Sequence, residues 1–121
     1  MKSIAFIFTN GPYGNTSSSE GLDLLLAISS LSKSNKIGVF FISDGVLLLL
    51  SKQQPAKILA KNFTVKFSIL SIYDINQIYM CADSAMERGL NSNIEYILDF
   101  EFLSAKYLRH YLSKYNVILT F

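Results

Sequence analysis

Five short apolar runs punctuate this chain, and the stretches between them have helical character. The runs are Ser3 to Thr9 (SIAFIFT), Ile37 to Ile42 (IGVFFI), Ile75 to Cys81, the edge-like Ile97 to Phe102, and Val117 to Phe121. The first two are nearly continuous rather than alternating, as expected of strands covered on both faces. Strands that alternate with helices predict a three-layer α/β domain: a mostly parallel sheet of about five strands with helices on both faces.

The helical stretches carry their own punctuation. Ser17-x-x-Glu20 has the capping-box spacing, which predicts a helix from near Ser18 to about Lys33. From Leu22 to Ile28 that helix is apolar on more than one face, so a second cover is expected. Ser43-Asp44-Gly45 turns the chain into Val46 to Leu50, a short apolar helix or turn. Pro55 opens a further helical stretch, whereas Phe63 to Tyr73 reads equally as strand or helix. A helix follows Cys81 from about Asp83 to Arg88, with Gly89 placed for a left-handed cap. Ser104 caps a last helix whose face is predicted as Tyr107, Leu108, Tyr111 and Leu112.

A length of 121 residues fits one domain over residues 1–121. Its composition is 50% hydrophobic and 17% charged, against about 25% charged in an average soluble chain. A surplus of apolar surface points to protein partners. The longest unbroken apolar candidate, Val46 to Leu50, is far short of the ~20 residues that a membrane span needs. Met1-Lys2 lead into a strand-like run without a cleavage-site pattern, so the expected address is the cytoplasm. A net charge of +2 with scattered lysines gives no phosphate-tracking face. One cysteine and one histidine exclude both an internal disulfide and a Cys/His zinc cage; no metal and no cofactor are expected.

Chemistry in such a sheet gathers outside the carboxyl ends of the strands. Three segments project there: the loop Asn10 to Ser19 with Gly11, Pro12, Tyr13 and Gly14, the turn Ser43, Asp44 and Gly45, and Cys81 with Ala82 and Asp83. Together they predict one crevice. At a helix start, amide N–H groups and the helix dipole favour a thiolate at Cys81, able to take up sulfur as a persulfide. Asp83 and Asp44 oppose that charge; Arg88 is a candidate partner. The other reading of Cys81 is a small apolar residue buried in the core. The Gly11–Gly14 loop reads either as a phosphate cradle or as a plain turn; it matches no nucleotide-binding fingerprint, and Pro12 lacks an amide donor. His110 is expected in solvent. The aromatic-rich end of the chain has the spacing of core and interface rather than of a base-stacking platform.

Four stretches taken in order, FTNGPYGNTSSSEGLDLLLA, VFFISDGVLLLL, YDINQIYMCADSAMERGL and YNVILTF, resemble the DsrE/DsrF-like sulfur-transfer family over essentially the whole chain. The resemblance implies a flavodoxin-like fold and a place in a heterohexamer holding two copies each of three related subunits. It also implies sulfur passed as persulfide toward 2-thiolation of the tRNA wobble uridine. The implied partners are sister subunits and a downstream sulfur acceptor, with no direct contact to nucleic acid or membrane. Helix 1, Val46 to Leu50 and the aromatic tail are the expected interface regions. Cys81 matches the family's sulfur-accepting position, but the acceptor role belongs to another subunit type. This chain is therefore expected to serve mainly in assembly, to be non-catalytic alone, and to keep Cys81 as a candidate acceptor. The alternative is a stand-alone flavodoxin-like module that binds a flavin or nucleotide.

Overall fold

Strand β1, Ser3–Phe8, buries five of its six residues, because apolar side chains leave both faces of the strand. In the computed structural model, which describes residues 3–11, 17–31, 36–50, 67–70, 73 and 75–121, it lies inside a five-stranded sheet. The other strands are β2 (Lys36–Phe41), β3 (Gln77–Cys81), β4 (Glu101–Leu103) and β5 (Val117–Thr120), in the order β4-β3-β2-β1-β5. Every ladder is parallel, with Ile4 opposite both Ile37 and Val117, and Tyr79 opposite Glu101. Alternate residues face opposite sides of the sheet. Phe6, Phe8, Val39, Phe41, Ile78 and Met80 therefore join one core cluster, while Ala5, Ile7, Phe40 and Cys81 join another.

Connection handedness explains what covers each face. The steps β1 to β2, β2 to β3 and β3 to β4 all move the same way across the sheet, and right-handed crossovers put their connectors on one side. That side carries α1 (Ser17–Leu31), the 3-10 helix Ser43–Leu49 and α2 (Ala82–Glu87). Leu22, Leu25, Val46, Leu48, Leu49 and Ala85 from these elements fill the first cluster, with Phe67 and Leu70. The return from β4 to the far edge at β5 reverses direction. It places α3 (Ala105–Leu112) on the opposite face, where Leu108 closes the second cluster.

Several local signals work as the sequence predicts. Ser104 Oγ accepts the Tyr107 N–H and caps α3. Gly89 takes a left-handed conformation, φ 73°, just after α2. Others differ. The chain from Ile97 to Phe100 runs beside Leu49 and Leu50 rather than as strand, through an Ile97 N–H to Leu49 O bond and a Leu50–Tyr96 bridge, so that β4 begins only at Glu101. Tyr107 is 62% exposed, and the buried side of α3 runs through Leu108 to Tyr111 and Leu112. A short helical turn occupies 67–70; the Pro55 helix lies outside the described residues. Of the three expected interface regions, Val46–Leu50 is largely consumed by the chain's own core. The tail aromatics Tyr96, Phe100 and Phe102 meet edge to face, 4.8 to 6.3 Å between ring centres, half-buried against that core. Helix α1 leaves apolar residues open: Leu24 is 40% exposed and Leu31 86%.

The second face is aromatic near the strand starts. Tyr115 crosses over Gly38, whose missing side chain makes the room, and its hydroxyl donates to Gln77 Oε1 at 2.6 Å. Phe40 packs edge-on to Tyr115 and stacks with Tyr79. Burial, with Tyr79 beside it, pushes the Tyr115 phenol up to about 12. The protonated form is thus favoured in the fold. This contribution to stability is complete below pH ~10, the unfolded value, and is lost as the pH rises toward about 12. Tyr115→Phe should make the alkaline decline in stability shallower between those values, read as Tm against pH; an unchanged slope would assign the decline to other groups.

Candidate functional site

Parallel strands end together, so the segments after Phe8, Phe41 and Cys81 emerge at one edge of the sheet. Their described parts converge. Gly11 lies against Asp44: a side chain built on Gly11 would sit 3.6 Å from Asp44 Cβ and 3.9 Å from Leu47 Cδ1. Asp44 Oδ1 accepts from Arg88 Nε at 2.9 Å. The Ser43 N–H donates to Ser84 Oγ at 3.0 Å, joining the 3-10 helix to α2. Pro12, Tyr13 and Gly14 lie outside the described residues.

Each segment is shaped by a specific local device. At the end of β2, Ile42 is extended and Ser43 then takes φ 52°, a left-handed conformation uncommon for a residue with a side chain. That reversal drops the chain directly into the 3-10 helix. Gly45 follows and is buried, because its α-carbon presses on the backbone of Phe8. Expected from sequence to line the crevice, Gly45 instead sets the spacing between the 3-10 helix and the end of β1. At the first loop, Ser18 Oγ donates to the Asn10 carbonyl at 2.9 Å, and Asn10 Nδ2 donates to Ser17 Oγ at 3.0 Å. These two bonds tie the start of α1 back to the end of β1.

Cys81 is the last residue of β3 and the N-cap of α2, with Sγ accepting the Ser84 N–H at 3.5 Å. Its side chain points to the second face, among Ala5, Ile7, Phe40, Leu103 and Leu108, and the residue is 4% exposed. Cys81 thus stands at a helix start, as expected, and its setting is that of a small residue buried in an apolar site. Asp83 is committed elsewhere: its Oδ1 accepts the Ala105 N–H at 3.1 Å, at the start of α3. Arg88 faces Asp44 rather than the thiol, and its Nη1 donates to the Ser84 carbonyl at 3.0 Å. His110 is exposed.

Ser84 is the residue that sequence reasoning missed. Its N–H meets the sulfur, its hydroxyl meets the Ser43 amide, and its carbonyl meets Arg88. The available signal was spacing: Cys81 and Ser84 are three apart, and Ser84 and Arg88 four apart, the separations that share a helix face. Among the described residues no group of three or more His, Cys, Asp or Glu side chains could hold a metal ion. Nor is any helix among them long and apolar enough to cross a membrane.

The fold is shared with known proteins. The ychN protein from E. coli superposes with a TM-score of 0.84 at 23% identity, over 100% of each chain. A protein of unknown function from Methanobacterium thermoautotrophicum, MTH1491, superposes with a TM-score of 0.64 at 11% identity, over 98% of this chain and 99% of that one. At such identities these likenesses establish the fold. The model described as DsrE/DsrF-like family matches residues 2–121, nearly the full length. This chain accordingly belongs to the DsrE/DsrF-like family, which is associated with sulfur relay.

Proposed function

We propose that the chain is a TusC-like subunit of a sulfur-relay complex of the TusBCD kind, which passes persulfide sulfur toward 2-thiolation of the tRNA wobble uridine. Its partners in this reading are TusB- and TusD-like sister subunits in a cytoplasmic heterohexamer, with a TusE-like protein accepting sulfur downstream. The chain acts mainly in assembly. The observation that carries this role is the apolar stripe left open on α1, where Leu24, Ala27 and Leu31 lie three and four residues apart on one helix face. Exposed large apolar residues on one face are the mark of a surface that is covered in use.

Cys81 supports a secondary role at most in the lone chain. It sits at the carboxyl end of a central strand, in the family's acceptor position, but the residue is buried among Ala5, Ile7, Phe40, Leu103 and the α3 residue Leu108. A persulfide acceptor has to meet both a donor and a receiver, so the sealed sulfur favours assembly over transfer.

Native mass spectrometry of the co-expressed complex, followed by persulfide mapping, tests both halves. The expected result is two copies of each of three subunits, with sulfur held by the TusD-like chain. Cys81→Ser should leave assembly intact and lower stability by about 1–3 kcal/mol, since it brings a hydroxyl into a buried apolar site. A purified chain that is yellow, with flavin absorbance, would replace this reading with the flavin-binding one.

A further inference from the structure

Helix α3 packs on the sheet through Leu108, with Tyr111 and Leu112 beside it. Its opposite side is basic. Lys106, Arg109 and His110 are exposed and stand three and four residues apart, so they share one solvent face. Of the five described lysines and arginines, three lie on or just after this helix: Lys106, Arg109 and Lys114. Lys114 Nζ folds over the Tyr111 ring, 5.7 Å from its centre. Among the described residues Lys106 and Arg109 have no ion pair, and α3 itself contains no acid. Like charges at this spacing repel one another. Arg109 and His110, in the last turn, suit the carboxyl end of the helix dipole, but Lys106 stands in the first turn, where the dipole disfavours a cation. The stability of the fold therefore does not account for Lys106, and a local rule broken without compensation is expected where a surface has a function.

We propose that the outer face of α3 docks an acidic segment of another protein. Carboxylates at helical spacing would oppose Lys106, Arg109 and His110, and an apolar residue between them would cover Tyr107, which is 62% exposed beside that face. Charge complementarity carries the choice of occupant: an opposing carboxylate turns the repulsion between Lys106 and Arg109 into attraction to the partner. Size decides between a protein segment and a nucleic acid. The eight residues of α3 span about 12 Å. Away from them the described residues carry eight carboxylates against Lys36 and the paired Arg88. Two of these carboxylates lie at the start of the helix: Asp83 accepts the Ala105 N–H, and Glu101 is on β4 just before it. A phosphate backbone, with a charge about every 3.4 Å along each strand, would run off the basic face into them. A short acidic segment fits within it. The face lies on the other side of the sheet from α1, so it is separate from the apolar stripe there, and the inference does not rest on the sulfur-relay reading.

The test is fluorescence anisotropy with the purified full chain and two labelled probes. One is a peptide of Glu-Ala-Ala-Glu-Leu-Ala-Ala repeats, which sets carboxylates three and four residues apart around a leucine; the other is an oligouridylate of equal charge. The peptide should bind at least about tenfold more tightly than the oligouridylate. Lys106→Glu and Arg109→Gln should each weaken peptide binding at least about threefold, and together at least about tenfold. Raising KCl from about 0.1 M to about 1 M, which shortens the screening length from about 10 Å to about 3 Å, should also weaken it. Lys106→Glu should hold Tm or raise it by up to about 4 °C, because it places an acid in the first turn. Lys36→Glu, which brings the same change in net charge at the exposed start of β2, should leave peptide binding within about twofold of wild type. The proposal is overturned if the peptide does not bind, if Lys36→Glu weakens binding as much as Lys106→Glu, or if Lys106→Glu lowers Tm. Tighter binding of the oligouridylate, lost in the α3 variants, would replace the acidic segment with a nucleic acid.

Discussion

Gly45→Ala should lower Tm by about 10–20 °C or abolish soluble expression, the expectation for a loss of about 3–5 kcal/mol in a chain of this size. A Cβ at Gly45 would run into the Phe8 carbonyl oxygen and lie 2.6 Å from the carbonyl carbon. Backbone is the obstacle, so no side-chain rotation relieves it. The carbonyl cannot swing away cheaply either, since it accepts the Ile42 N–H at 3.1 Å where β2 leaves the sheet. Retreat of the 3-10 helix would pull Val46, Leu48 and Leu49 from the core. It would also lift Asp44 from Arg88. Thermal denaturation checks the prediction. A variant within a few degrees of wild type would mean that the 3-10 helix is not held at this separation.

Leu24→Asp with Leu31→Asp should leave the fold intact and weaken association with partner chains at least about a hundredfold. Both side chains already contact water, so each charge enters a solvated position and costs the monomer little. In an assembled interface the same charges would be buried without partners. Apolar anchors at interface centres contribute about 2 kcal/mol or more each, and 1.4 kcal/mol is a factor of ten in affinity. Sedimentation of the wild-type and double-variant chains, alone and co-expressed with partners, reads the effect. The wild-type chain alone should self-associate, because the stripe is uncovered; the variant should run as a monomer. Equal association by both would move the interface away from α1.

These two positions differ in how far the sequence announces them. The α1 stripe is legible: LDLLLAISSL places apolar residues on more sides than one sheet can cover, and the structure leaves one of those sides open. Val46–Leu50 offered the same signal with the opposite outcome. A run of apolar residues states only that water is to be avoided; whether the cover is the chain's own core or another chain depends on what packs there. Ile97–Phe100 shows a related limit. Its apolar residues suit a strand, but the Ile97 N–H bonds to the Leu49 carbonyl and Tyr96 bridges to Leu50, outside the sheet. Tyr107 falls outside the buried face of α3 because helix orientation, set by packing on the sheet, decides between adjacent positions that a pattern treats alike.

The linear pattern of this chain determined its alternation of strand and helix, its parallel sheet, its caps at Ser104 and Gly89, and the meeting of three loops at one edge. Each of these depends on local periodicity, on turn chemistry, or on the handedness of crossovers, and all are written in neighbouring residues. Tertiary structure alone decided that Arg88 meets Asp44, that the Ser43 amide meets Ser84, and that Gly45 must be bare. Those contacts join residues about 40 positions apart, and an angstrom of displacement makes or breaks them, so no spacing along the chain encodes them.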